Sequence, residues 1–410
     1  MRPIAMLAFA VSLLPAPVSG QAAPKPRARD LGVPFDGTPG PLNAITDVAG
    51  VTVGQVTIVS GKGPLVVGQG PVRTGVTAVL PRGAANGDPV MAGWFTLNGN
   101  GEMTGTTWLE ESGFLAGPVM ITNTHSVGVV RDAVIEWLVH RGFNFDWSLP
   151  VVAETWDGSL NDINGFHVTK QDAFRALDSA RSGPVAEGNV GGGTGMICHM
   201  FKGGIGTASR RFTIDDKTYT LGVLVQCNYG VRRLLRIAGV PVGAEIPDLL
   251  PCLDTAEPRP SADERYQRCA AKVGERDPGP GGIGEMGSII VVVATDVPLL
   301  PHQLQRVARH VSLGIGKMGG LGSNSSGDIY VAFSTANPHA ADPQGLHSAT
   351  FIANEAITTV FEATVQATEE SITNALVAAE TMTGANDLRI SALPHDRLRA
   401  ALQKYGRLGK

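Results

Sequence analysis

The sequence predicts an α/β fold, and three observations carry that expectation. Short β-branched runs alternate with amphipathic helical patterns along one chain. One run of consecutive apolar, mostly β-branched residues, 289–294, has the character of a strand buried on both faces. The composition is that of a chain with a sizeable core, 43% hydrophobic and 17% charged. At 410 residues and 42.8 kDa it suits one large domain or two ordinary ones. Lys and Arg total 33 against 37 Asp and Glu, a net charge of −4, so no basic excess marks a nucleic-acid partner. The 52 glycines are roughly twice the usual share. They follow no Gly-X-Y period and therefore serve turns and close backbone packing.

The elements follow in order. Arg2 precedes an apolar run over 4–14, then Pro15 and small residues as far as Ala23. This reads as a Sec-type signal peptide over 1–23, placing the mature protein in a periplasm or outside the cell. The run is about half the roughly 20 residues a spanning helix needs, and no other segment is apolar enough to cross a membrane. A Pro/basic linker begins at 24. Strands are expected at 51–56, 77–80, 119–123, 149–153 and 219–226, between Gly-rich turns. Helices are expected at 132–140, stopped by Gly142, and at 171–182. The stretch 241–287, rich in Pro, Asp, Glu and Arg, reads as a linker or exposed loop. Order resumes with the 289–294 strand. Leu304, Val307, Ala308 and Val311 then space an amphipathic helix, 329–333 is a further strand, and 354–380 is a long helical stretch. No internal repeat is visible. Four cysteines are too few for a disulfide scaffold. Cys252 and Cys269 share the polar stretch and either pair in an oxidising compartment or stay free. Cys198 and Cys227 lie in apolar runs and read as reduced core residues.

At Gly287-Ser288 a hydroxyl residue opens a buried strand directly after a Gly-rich segment. Most such junctions are turns. The same arrangement is also what an N-terminal nucleophile requires: Ser288 attacks the carbonyl of Gly287, water cleaves the ester, and Ser288 becomes a new N-terminus. Its α-amine, with a reference pKa of about 7.7–8.0, is then available as a base for its own hydroxyl. Competing signatures are missing: no His-Glu-x-x-His, no Cys-x-x-Cys, no Gly-x-Ser-x-Gly. Gly314-Ile-Gly316-Lys-Met-Gly319 fits a dinucleotide fingerprint in form, but it follows a helical pattern where a strand is needed. Gly191-Gly-Gly-Thr-Gly195 lacks the Lys-Ser/Thr of a phosphate loop. Both segments, and the glycines at 203, 204 and 206, are expected to let backbone pass close to a site.

The chain resembles the DmpA-type aminopeptidases, a family that includes the β-peptidyl aminopeptidases (BapA). The resemblance lies in Arg27-Ala-Arg-Asp-Leu-Gly32, the run 40–54, Asn123-Thr-His-Ser-Val-Gly128, Glu154-Thr-Trp-Asp-Gly158, the run 187–195, Gln226-Cys-Asn-Tyr-Gly230, the run 287–296 and the run 322–329. These appear in the family's order over about 27–340. The resemblance implies a four-layer αββα sandwich like that of N-terminal nucleophile hydrolases, with its own connectivity. It implies self-cleavage before Ser288 into an α chain ending at 287, which includes the 241–287 linker, and a β chain of 288–410, folded together as one domain. It implies oligomers of αβ units, often tetramers, and removal of the N-terminal residue from peptides, amides and esters without metal or cofactor. Residue by residue, Ser288 matches the nucleophile. Ser326 and Asp328 match the pair supporting it and its amine. Asn228 matches the oxyanion-hole amide, and Glu154 the carboxylate that holds the substrate's free amine.

Independent physics fits these positions. Residues i and i+2 of an extended segment face the same way, which suits Ser326 and Asp328. An aminopeptidase needs an anion to select a charged N-terminus. One position departs: some aminopeptidases of the group carry Tyr where this chain has Trp156, which offers a wall and an N–H donor but no phenolic hydroxyl. That departure and the signal peptide favour a β-peptidyl aminopeptidase over an L-aminopeptidase/D-esterase. More distant alternatives are an ornithine acetyltransferase-like enzyme, which would carry Thr at the new N-terminus, and a periplasmic binding protein, which would stay one intact chain. Residue types leave the identity of the general base open.

Overall fold

β-Branched runs become the strands of two sheets stacked face to face. In this computed structural model residues 25–143, 145–255, 266–269 and 287–409 are described. The signal peptide expected over 1–23 lies outside them, as do residues 256–265 and 270–286 of the expected linker. The first sheet has the order β1 (Thr52–Ser60), β2 (Val72–Leu80), β5 (Val119–Asn123), β6 (Val151–Thr155). The second has the order β4 (Phe114–Leu115), β3 (Val90–Gly99), β14 (Ser326–Ser334), β13 (Gly287–Thr295), β10 (Lys217–Asn228), β9 (Gly204–Ile214). A small hairpin joins β7 (Ile197–Cys198) to β8 (Phe201–Lys202). A third, small sheet runs β12 (Gln267–Arg268), β11 (Cys252–Leu253), β16 (Leu388–Ile390), β15 (Met382–Thr383). Of the helices, α1 (Thr106–Ser112) and α4 (Val242–Glu245) are short; α2 (Val127–His140) and α3 (Lys170–Asp178) cover the first sheet, α5 (Pro301–Lys317) and α6 (Thr358–Ala378) the second, and α7 (His395–Lys404) closes the chain.

The four layers α, β, β, α follow from how β13 alternates. Ile289, Val291 and Val293 pack into the core shared with Leu304, Val307 and Val360 of α5 and α6. Ile290, Val292 and Ala294 pack into the core between the sheets, against Ile121, Val151 and Ala153 of the first sheet. Every residue of β13 is buried, because it has helices on one face, a sheet on the other, β14 parallel on one edge and β10 antiparallel on the other. A third core lies between the first sheet and α2 and α3. Among the described residues no helix is long and apolar enough to cross a membrane.

The N-terminal motif is structural. Arg29 makes a bidentate pair with Glu370 of α6 at 2.7 and 2.8 Å, and Arg210 of β9 reaches the same carboxylate at 2.8 Å. Arg27 pairs with Glu187 at 2.8 Å. Burial pushes Glu370 up, but Arg29 and Arg210 outweigh it and hold the carboxyl below its ordinary range. These ion pairs bind the segment around 27–29 across the second sheet and its helix layer.

Two expectations are corrected. Cys198 and Cys227 are joined in a disulfide, because β7 lies against the end of β10 and brings their Cα atoms to 5.6 Å; apolar surroundings alone gave no hint of this pairing. Cys252 and Cys269 are also joined, with Cα atoms 4.9 Å apart. The described part of the expected 241–287 linker is anchored to the core at intervals rather than exposed throughout. Val242 and Ile246 are buried in the helix-side core, and Leu253 packs with Leu160, Leu388 and Ile390. Its Pro and charged residues conceal a few apolar anchors too widely spaced for either period. Strand β3, the Gly-rich strand β9 and α7 are further elements that periodicity did not mark.

Candidate active site

Ser288 is the second residue of the central strand β13, opposite Asn228 of β10 and beside Gly327 of β14. It is 5% exposed, and its Oγ accepts the backbone N–H of Gly327 at 3.1 Å. Gly287 has no room for a side chain: a Cβ there would sit 1.8 Å from the carbonyl oxygen of Asn228. Close approach of β10 thus demands glycine before the serine, and the hydroxyl is held on a strand paired on both edges.

Ser326 and Asp328 come together as their spacing predicts. Both are fully buried, and the Ser326 hydroxyl donates to Asp328 Oδ1 at 2.6 Å. Asn98 adds a long contact from Nδ2 to Oδ2 at 3.4 Å. The parallel register sets Gly287 beside Ser326 and Ser288 beside Gly327, so the pair flanks the Gly287–Ser288 peptide along the neighbouring strand.

Asn228 is oriented at both ends of its amide. Its Oδ1 accepts from Ile197 N at 2.7 Å and its Nδ2 donates to Trp156 O at 2.9 Å. An amide nitrogen carries two protons, so one remains to face the cleft that Asn228 lines together with Trp156 and Gly195. Behind it, Gln226 Nε2 donates to Thr122 O and Thr155 Oγ1, tying the ends of β5, β6 and β10 together.

Glu154 closes the other side. It is 2% exposed; Oε1 accepts from Glu102 N at 3.0 Å, and the Thr124 hydroxyl donates to Oε2. Burial pushes its carboxyl up, against the two hydrogen bonds. A Cβ built on Gly101 would lie 3.2 Å from Glu154 Oε1 and 3.1 Å from Gly327 Cα. That close packing puts the carboxylate one backbone crossing away from the strand beside Ser288. A buried anion short of partners is suited to receive a cation.

The 191–195 segment brings backbone close to the site, whereas a Cβ on Gly203, Gly204 or Gly206 would meet Cys227 O, Gly188 O or Ser371 O, so those glycines serve close packing elsewhere. A Cβ on Gly192 would meet Gln226 Oε1 at 2.2 Å, and one on Gly195 would meet Arg73 O at 2.3 Å. Gly158 lies under the Trp156 indole, whose atoms would be 2.6 Å from a Cβ there. By contrast Gly314 and Gly316 lie within α5, away from any nucleotide-binding context. Sequence reasoning missed Thr124, the Glu102 amide, Asn98 and the cleft residues Pro251 and Tyr266. Thr124 sits inside a quoted motif run; the others had no local signal.

A buried hydroxyl, an amide donor on the facing strand, a buried Ser–Asp pair and a buried carboxylate are the groups that acyl transfer on an amine-bearing substrate calls for. The model of Peptidase family S58 matches residues 43–390. Beta-peptidyl aminopeptidase BapA of Sphingosinicella microcystinivorans is 58% identical over 389 residues, 94% of each chain. The L-aminopeptidase D-Ala-esterase/amidase of Ochrobactrum anthropi, described as a variant of the Ntn hydrolase fold, superposes with TM-score 0.82 at 47% identity, covering 94% of this chain and all of that one. A Burkholderia sp. beta-aminopeptidase superposes with TM-score 0.78 at 43% identity, covering 93% of this chain and 99% of that one. Similarity over nearly the whole length, in sequence and in fold, establishes that the chain belongs to peptidase family S58.

Proposed function

We propose that this peptidase is a self-processing serine aminopeptidase that removes N-terminal β-amino acids from peptides and amides. One observation carries the mechanism: Ser288 stands second on a fully buried strand, between Asn228 and Gly327, after a glycine with no space for a side chain. In maturation the Ser288 Oγ attacks the Gly287 carbonyl carbon, the peptide nitrogen takes a proton and leaves, and the chain rests as an ester. Water hydrolyses the ester, restoring the hydroxyl and leaving a free α-amine on Ser288. In turnover the same Oγ attacks the scissile carbonyl of a substrate. The α-amine, with the Ser326–Asp328 pair beside it, accepts the hydroxyl proton and returns it to the leaving amine. The free Nδ2 proton of Asn228 faces the oxyanion, a kind of contact whose removal costs about 2.7–4 kcal/mol elsewhere. Glu154 receives the substrate ammonium.

The 58% identity to a β-peptidyl aminopeptidase supports the β-amino acid preference, and Trp156 is consistent with it. The 47% identity and fold of the L-aminopeptidase D-Ala-esterase/amidase support a second reading of the same site. Rates on β-homo-amino acyl against L- and D-alanyl p-nitroanilides separate the two. The signal-like N-terminal run favours a periplasmic or secreted enzyme, and the family resemblance favours a homo-oligomer of αβ units. The decisive test is denaturing electrophoresis with N-terminal sequencing. The expected small chain begins Ser-Ile-Ile-Val-Val, and Ser288→Ala gives one unbroken, inactive chain. Full activity from a single unbroken polypeptide overturns the mechanism.

A further inference from the structure

Beside Asn228 the cleft has two unlike walls. One is Trp156, two residues beyond Glu154. The other is built from Pro251 and Tyr266, with Ile197 and Met200 between them. Pro251 and Tyr266 are separated in sequence by residues the structure leaves undescribed, yet they meet because their neighbours are fixed. β11 and β12 pair in parallel, Cys252 beside Gln267 and Leu253 beside Arg268. Cys269 N donates to Leu253 O at 3.1 Å, and the Cys252–Cys269 disulfide locks the two short strands together. Strand β11 in turn pairs with β16, and Tyr266 packs on the small core of Leu160, Leu253, Leu388 and Ile390. Two-residue strands hold little alone; the crosslink and that core are what keep this wall in place.

We infer that the Cys252–Cys269 crosslink holds Pro251 and Tyr266 as the specificity-determining wall of a pocket for an apolar side chain on the substrate's N-terminal residue. The inference rests on the function proposed above. In a β-amino acid substituted next to its amine, the ammonium and the side chain share one carbon. With the carbonyl oxygen at Asn228, which lines the cleft, and the ammonium at Glu154, two residues before Trp156, the side chain is directed to the space between Trp156 and Tyr266. That space is bounded by an indole, a phenol ring, a proline, an isoleucine and a methionine, with Ser159 and Asn228 as polar groups at its edge, which suits a branched aliphatic or aromatic group and offers no opposite charge to an ionised one. Tyr266 and Pro251 touch the side chain; the cysteines are positioning residues.

The test compares β-homoleucyl and β-alanyl p-nitroanilides, which differ in having and lacking that side chain. For Tyr266→Ala the ratio of kcat/KM on the first to that on the second is expected to fall on the order of tenfold, the size of effect a lost contact in a hydrophobic pocket gives. The fall should appear in KM rather than kcat. Cys252→Ser with Cys269→Ser should lower the same ratio in the same parameter; if that double variant fails to fold, Tyr266→Ala alone decides. A ratio unchanged in Tyr266→Ala, or a fall confined to kcat, overturns the inference while leaving the aminopeptidase reading intact. A wild-type enzyme that cleaves neither compound overturns both.

Discussion

Replacing Glu154 by Gln isolates the charge proposed to select a free N-terminus. The substitution keeps the shape of the side chain. Its remaining carbonyl oxygen still accepts the Glu102 N–H, found at 3.0 Å, and its amide donates to the Thr124 hydroxyl, now an acceptor. What is lost is the attraction for an ammonium. At a contact of about 3 Å and an effective dielectric of about 20, that attraction is roughly 5 kcal/mol before desolvation. The net loss for a hydrogen bond to a charged group is about 1.5–3 kcal/mol, and somewhat more where the surroundings are dry. A loss of about 2–4 kcal/mol lowers kcat/KM about 30- to 1000-fold, at 1.36 kcal/mol per tenfold.

The pH dependence has a definite sign. Burial raises the Glu154 carboxyl above its ordinary value, so the wild-type kcat/KM should fall on the acid side as the carboxylate takes up its proton. The Gln variant should lack that limb. The folded state holds this proton more tightly than the unfolded chain does. The group therefore favours folding at low pH, and that contribution is lost as pH rises through the raised folded value. The variant carries no such charge and should melt no lower than wild type near pH 8. The assay is kcat/KM on β-alanyl p-nitroanilide from pH 5 to 9, with the N-acetylated compound as a control that both enzymes should handle equally poorly. A Gln variant as fast as wild type, with the acid limb intact, would falsify the assignment of Glu154 to the ammonium.

Three further outcomes are expected. Gly287→Ala forces a methyl to 1.8 Å from Asn228 O, so the strand start must move, and self-cleavage followed by electrophoresis should slow by orders of magnitude. Glu370→Ala strips a buried carboxylate from Arg29 and Arg210 and should destabilise by about 3–5 kcal/mol in chemical denaturation. Because the Glu370 value is depressed, the stability it supplies is present above its unfolded value and should fade from the wild type, but not the variant, as pH falls through the folded value. Asp157, fully buried and hydrogen-bonded by Asn161 at 3.0 Å, is pushed up by burial to about 7. Asp157→Asn should therefore gain unfolding free energy over wild type in chemical denaturation as pH rises from 4 to 7, by at most roughly 4 kcal/mol at about 1.36 kcal/mol per pH unit, with a constant gap above; an equal gap at every pH would count against the buried charge.

The sequence made legible those parts of the fold whose physics is local. The 289–294 run announced a strand covered on both faces because nothing in it tolerates water. The spacing of Leu304, Val307, Ala308 and Val311 announced the helix that covers it. The Ser326/Asp328 pairing followed from a period of two. What stayed hidden depended on distant backbone. Strand β9 begins Gly-Ile-Gly, which carries little side-chain signal; its glycines allow α6 to lie close, since a Cβ on Gly206 would meet Ser371 O at 2.0 Å. The Cys198–Cys227 bond needed the register of β7 against β10. Glu102 contributes only its backbone N–H to Glu154, and a backbone donor has no signature in residue type.

The place of the proposed cleavage junction on β13 answers a physical objection to self-processing. Breaking a peptide bond beside the core should release a strand. Here the strand continues for seven buried residues beyond Ser288, each in register with β14 and β10 on either side, so the bond broken contributes little to holding it. Gly287 itself is retained by register beside Ser326 only while it is covalently attached. Severing it would free the α-amine where the Ser326–Asp328 pair already stands, without moving the hydroxyl. The rigidity that buries Ser288 is thus the same rigidity that would let the chain be cut there and keep its site, and a nucleophile on a loop would have neither property.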